Sequence, residues 1–158
     1  MAISLVLLLA FLIGGICGLR SMTGPALICW GAHLGWLSVS GSHLAFLANF
    51  IWLIVFSLLA IAELFADKLP KIPRRTSAGP LALRVLVGGL CGGAFAIAGG
   101  ASLTTCSLLG GLGGLLGAFA GYWARRAATA EGKVHDLPVA LFEDLIAIGG
   151  GLFLISRF

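Results

Sequence analysis

Five stretches of this chain, residues 2–19, 44–66, 81–101, 103–124 and 139–155, run for seventeen to twenty-three residues with two charges or fewer in each. A helix needs about 20 residues to cross ~30 Å of hydrocarbon, so this spacing is that of membrane-spanning helices. The rest of the composition agrees. Only 10% of the 158 residues are charged, against about 25% in soluble domains, too few to build a water-facing surface. The first run is not patterned as a cleavable signal, because Met1-Ala2-Ile3-Ser4 is without a basic side chain and the first cation, Arg20, follows the apolar stretch. It is expected to remain as a helix.

A sixth segment, Pro25 to Leu37, is the weak link, since its 13 residues rise only about 20 Å as a helix. It either re-enters the membrane or crosses it, extended through Ser38 and Ser40. Crossing places Arg20, Lys68, Lys71, Arg74, Arg75, Arg84, Arg125, Arg126 and Lys133 on one side, leaving Arg157 as the one exception among ten Lys and Arg. Positively charged loops stay cytoplasmic. Six crossings with both termini outside is therefore the simpler answer. The expectation is an all-α membrane protein, a six-helix transmembrane bundle in a single domain of residues 1–158, with hairpins 1–43, 44–101 and 102–158 and the basic loops cytoplasmic.

Sliding the chain against itself by 58 residues matches 11 positions over residues 55–98, among them Pro80 with Pro138, Gly92 with Gly150 and Phe95 with Phe153. The unit is a helix, a basic loop and a second helix opened by Pro, and two loops on one side make the repeats parallel. Thr23-Gly24-Pro25-Ala26-Leu27 echoes Ala78-Gly79-Pro80-Leu81-Ala82, which suggests a shortened third copy. Proline in the first turn of a helix removes no needed hydrogen bond, a sufficient structural reason for all three. Many of the 24 glycines recur four apart, as in Gly14 and Gly18, Gly88 and Gly92, and Gly113, Gly117 and Gly121. Small residues on one face let helices approach closely, either within one bundle or in a homo-oligomer. The fifth helix, whose Gly110, Gly113, Gly114, Gly117 and Gly121 leave one side nearly bare, is the expected self-association face.

The charged side chains within or beside the apolar runs are the candidate site. Glu63 and Asp67 share a helix face four residues apart. Arg84 follows Pro80 by four residues, and Glu143 and Asp144 follow Pro138 by five and six. All therefore sit at similar depth, and an ionisable group at such depth faces the bundle interior, a wet cavity or the interface. In the repeat alignment Glu63 falls opposite Gly121, Asp67 opposite Arg125, Arg84 opposite Phe142, and Glu143 opposite Val85, so the charges lie where the copies disagree. Two readings stand. One is a closed salt-bridge network, for instance Arg84 with Glu143 or Asp144 and Lys68 with Asp67. The other is a cation or proton site, for which partly desolvated carboxylates are suited. Adjacent Glu143 and Asp144 point about 100° apart, so one is expected toward the core and the other at the helix start.

Three motifs, Gly18-Leu19-Arg20-Ser21-Met22-Thr23-Gly24-Pro25-Ala26, Glu63-Leu64-Phe65-Ala66-Asp67-Lys68-Leu69-Pro70 and Leu141-Phe142-Glu143-Asp144-Leu145-Ile146-Ala147-Ile148-Gly149-Gly150, resemble the bacterial membrane-protein family catalogued as domain of unknown function 4126. The resemblance spans nearly the whole chain. It implies an inner-membrane location and directs attention to Arg20, Glu63, Asp67, Lys68, Glu143 and Asp144. It carries no activity with it.

Other function classes find little here. The cations lie in short loops beside spans, where membrane orientation explains them, so no nucleic-acid partner is expected. Cys17, Cys29, Cys91 and Cys106 form no Cys-x-x-Cys pair and read as small buried hydrophobes, with no metal or cofactor implied. His135 beside Asp136 has no serine or cysteine nearby in sequence, so an enzyme is not expected. The expected partners are the lipid bilayer and a small ion or solute. The leading expectation is a small transporter or channel with an intramembrane charged site, and the alternative is a structural or accessory subunit whose charges are closed salt bridges.

Overall fold

A computed structural model of the chain describes residues 1–66, 77–129 and 136–158. Among the described residues there are six α-helices and no strand: α1 (Ile3–Leu19), α2 (Thr23–His33), α3 (Phe50–Ala66), α4 (Ala78–Gly99), α5 (Leu103–Thr129) and α6 (Asp136–Ile155), with a 3₁₀ turn at Ala45–Ala48. Three of them, α4, α5 and α6, are long and apolar enough to cross a membrane, while α1 and α3 are apolar but shorter. Pro25, Pro80 and Pro138 each occupy the third position of their helix. An amide there has no partner within the helix, so proline is tolerated at no loss.

The centre of the fold is a three-helix stack of α1, α4 and α5, whose contacts are much the densest in the molecule. Glycine makes it possible. Gly14 lies on the backbone of Gly110, Gly18 on that of Gly114 and Gly117, and Gly88 and Gly92 on Gly110 from the other side. A Cβ on Gly18 would stand 2.6 Å from the Ala118 nitrogen and 2.7 Å from the Gly117 Cα, and one on Gly114 would stand 2.6 Å from the Arg84 carbonyl oxygen. Backbone cannot rotate aside, so these seams accept no larger residue. The α5 glycines 110, 113, 114 and 117 are thus spent inside one chain, against α1 and α4, and not on the self-association face expected for them.

Toward the chain ends the stack is filled by side chains. Val6, Ile13 and Phe95 are fully buried, and the Phe95 ring lies 4.6 Å from that of Phe158. Gly99 sits against Val6 and Phe158, which brings the start of α1, the end of α4 and the C-terminus to one end. Gly100, at φ +68°, reverses the chain there into α5.

The second segment does not run as one long helix through Ser40. α2 is 11 residues long, about 16 Å, and it stops for a local reason. Gly35 takes the left-handed φ of +80°, the Gly35 amide donates to the Ala32 carbonyl at 3.3 Å, and the Trp36 amide donates to Gly31 at 2.8 Å. This is a Schellman ending, which glycine admits without strain. Irregular chain then leads through the 3₁₀ turn to α3, so the apolar run from residue 44 becomes α-helical only at Phe50.

α3 is peripheral, with Leu53 its one buried residue. It is held beside α2 by the Trp30 indole, which donates to the Ser57 hydroxyl at 3.1 Å, and by the His33 and Phe50 rings 5.8 Å apart. Its repeat counterpart, α5, is central, so the two helices matched by the sequence repeat do different work. Leu58, Phe65, Leu86, Leu108, Phe142 and Leu145, on four different helices, are well exposed. The four cysteines are free, buried thiols.

Candidate functional site

The three sequence motifs, far apart along the chain, meet at one end of the fold. α1 ends at Leu19, and Arg20 leaves it in extended conformation with its amide still bonded to the Ile16 carbonyl at 2.8 Å. That geometry turns the Arg20 side chain inward, where it is 0% exposed. Its guanidinium forms an ion pair with Asp144 on α6 and donates to the Glu63 carbonyl oxygen at 3.3 Å. A buried guanidinium is held only where carboxylate and carbonyl oxygens replace its water.

Glu63, in the last turns of α3, clasps the start of α2. One carboxylate oxygen accepts from the Ser21 amide at 2.8 Å and the Ser21 hydroxyl at 2.6 Å. The other accepts from the Met22 amide at 2.8 Å. The amides entering a helix have no internal partner and sit at its positive pole, so a carboxylate from a neighbouring helix serves as an external cap. Arg84 on α4 approaches the same carboxylate at 3.8 Å. Arg84 is 4% exposed, and Glu143 and Asp144 are each 8% exposed.

Five of the seven candidate residues, Arg20, Glu63, Arg84, Glu143 and Asp144, are therefore brought to one end. Arg20 meets Asp144 and Glu63, and Glu63 meets Arg84. Asp67 and Lys68 lie outside the described residues. The turn at Arg20 adds a second buried cation to the expected Arg84, and this one forms an ion pair with Asp144. Neither acid of the Glu143-Asp144 pair caps its helix: α6 begins at Asp136, about two turns earlier, and both point inward. Asp144 pairs with Arg20, and Glu143 borders a cavity.

That cavity, about 520 Å³, lies between the last turns of α5 and the first turns of α6, closed on one side by Leu19. Ala120, Gly121, Ala124, Phe142 and Ile146 form much of its wall, and Glu143 and Arg125 supply its charge. In the 58-residue alignment, Gly121 and Phe142 stand where Glu63 and Arg84 stand in the preceding copy. Where α3 and α4 carry an ion pair, α5 and α6 carry a hydrogen atom and a ring, and space is left. Ser21 and Arg125 were not singled out as site residues from sequence. Ser21 sits inside the first motif, beside Arg20, and its place there was the available signal. Nothing in sequence located the wall at Arg125.

An all-helical chain with three membrane-length apolar helices and a buried charge cluster at one end defines the class. The chain belongs to the family described as domain of unknown function (DUF4126), whose model matches residues 7–156. Neither a curated protein nor a solved structure matches it.

Proposed function

We propose that this chain is a multi-pass protein of the bacterial inner membrane that moves an ion or small solute through the charged end of its helical bundle. The observation that carries the proposal is Glu143, a buried acid forming the wall of the 520 Å³ cavity next to the Arg20–Asp144 pair. Each charge held at hydrocarbon depth costs about 2.5–3.5 kcal/mol on insertion scales. Well-packed hydrophobic residues commonly hold helices together as well as buried ion pairs do. Five ionisable groups kept beside a cavity therefore argue for use beyond adhesion. The membrane-length helices and the exposed Leu and Phe side chains on several helices support a lipid surround. The one-sided charge distribution supports cytoplasmic basic loops, and the 58-residue repeat is consistent with parallel hairpins.

The proposal is non-enzymatic. Ser21, the hydroxyl touching the cluster, is buried, donates to Glu63 and does not line the cavity. Self-association is assigned to outer faces, since Gly110, Gly113, Gly114 and Gly117 of α5 are occupied within the chain.

A second reading, a non-transporting structural or accessory subunit, draws on a different observation: both Glu63 oxygens are engaged by α2 and Arg20 is paired with Asp144. The two readings part in proteoliposomes. Transport expects the wild type to move at least one member of a broad panel of ions and solutes, with Glu143→Gln lowering the initial rate by tenfold or more. A wild type that moves nothing, together with a neutral Glu143→Gln in cells, would refute transport and leave the subunit reading.

A further inference from the structure

Two of the four cysteines, far apart along the chain, meet inside the fold. Cys17 comes from the last turn of α1 and Cys91 from the middle of α4, and both are fully buried. They come together against the start of α2. A Cβ on Gly24 would fall on the Cys17 sulfur and lie 3.3 Å from the Cys91 sulfur, so glycine here leaves the room that the two sulfurs share. The thiols are hydrogen-bonded to each other. Their helices are also held in place, because Gly18, next to Cys17, and Gly92, next to Cys91, both lie on the backbone of α5. The fold thus presents a dithiol of fixed geometry.

The number of ligands limits what such a pair can hold. Thiolate is soft and selects soft metal ions over Mg, Ca or Mn. Zinc takes four ligands in structural sites and three with a water in catalytic ones. Among the described residues no three of His, Cys, Asp and Glu come together as a metal site. Two sulfurs suffice for an ion that is content with two ligands in line, as mercury(II), silver(I) and copper(I) are. The apolar surroundings choose among these. Two thiolates around a monovalent ion leave a negative charge in the interior, which is costly without a partner, and Arg20 is already paired with Asp144. Around a divalent ion they leave no charge.

We propose that Cys17 and Cys91 form a linear, two-coordinate site for mercury(II), a site independent of the transport reading of Glu143. Mercuric chloride is an uncharged molecule that enters hydrocarbon, so burial does not bar it as it bars an ionic thiol reagent. On binding, two S–H bonds break and two Hg–S bonds form. Two protons and two chlorides leave to water, and no electron changes hands. Cys17 precedes Arg20 by three residues, about 4.5 Å along the helix axis, so the charged end of the fold is the short way out for these ions.

The test is titration of the full chain in nanodiscs with mercuric chloride, then a wash with about a hundredfold excess of glutathione, and native mass spectrometry. A fixed pair of thiols resists separate thiols through its effective concentration. The wild type is expected to retain one mercury per chain with the loss of two protons. Cys17→Ala and Cys91→Ala are each expected to lower retention by about tenfold or more, and Cys29→Ala and Cys106→Ala to leave it unchanged. A wild type stripped by glutathione, retention that survives removal of Cys17 or Cys91, or a loss that follows Cys29 or Cys106 overturns the proposal. Should the alanine variants fail to fold, Cys17→Ser and Cys91→Ser, of nearly the same volume as cysteine, take their place. X-ray absorption of the mercury-loaded wild type needs no variant: two sulfur neighbours are expected, and any other number overturns the site.

Discussion

Gly110 is the point where the central stack is tightest from both sides, and replacing it by alanine gives a sharp expectation. An added Cβ would press into the Gly88 carbonyl oxygen, with the Gly88 carbonyl carbon at 3.0 Å and the Gly92 Cα at 3.1 Å. All three are backbone of α4, so no rotamer relieves the contact and the helix itself must retreat. A gap of 0.5–1 Å forfeits roughly a quarter to a half of the dispersion attraction along the seam. Overpacking of a tight core costs about 1–3 kcal/mol, and a backbone obstacle places Gly110→Ala at the upper end, near ~3 kcal/mol. Alanine returns ~1 kcal/mol of helix propensity. The net loss is about 2 kcal/mol, a factor of roughly 30 in the folding equilibrium. Gly149 in α6 is the matched control, since a Cβ there meets nothing within 4 Å, and Gly149→Ala is expected to gain up to ~1 kcal/mol. Thermal unfolding of the two variants in one detergent, followed by circular dichroism, reads the difference. If Gly110→Ala melts at or above Gly149→Ala, the close-contact reasoning is wrong.

Two further expectations concern the ion pair and the topology. Arg20→Met or Asp144→Leu alone should each destabilise the fold by about 3–5 kcal/mol by stranding a buried charge, whereas the double variant should recover most of that loss; a double variant as unstable as the sum of the singles would deny the pairing. Single cysteines replacing Thr76 and Thr129 should react with an impermeant thiol reagent from the cytoplasmic side only, and those replacing Ser42 and Thr104 from outside only. The four native thiols are buried and should contribute little background. Labelling of Thr76 and Thr129 positions from opposite sides would end the parallel-hairpin model.

Helices were legible in this sequence because apolar length and first-turn proline are local signals: α1, α3, α4, α5 and α6 all fall on the apolar runs. α2 was legible only in part. The run from Pro25 to Leu37 has helix-compatible composition throughout, and its end depends on Gly35 adopting positive φ, a choice that a lone glycine permits without requiring. The similar depth of Glu63, Arg84, Glu143 and Asp144 followed from counting residues from helix ends, whereas Arg20 was pointed to by the family resemblance. Their partners did not, because pairing depends on how helices rotate about their axes, and glycine seams set that rotation. The same fact explains the misplacement of the α5 face. A stripe of small residues says that something comes close, and only the packed fold says that the something is α1 and α4.

Those seams also determine what is free to move. Helices slide past one another by small shifts of interlocked side chains, and a seam of backbone laid on backbone has no side chains to shift. α1, α4 and α5 thus stand as a fixed post. α6 touches that post more sparsely and is parted from α5 by the cavity at one end, yet it bears both Glu143 and Asp144. α6 is thus tied to the post by side chains and not by backbone laid on backbone, and the Arg20–Asp144 pair fastens it at the end where the charges gather.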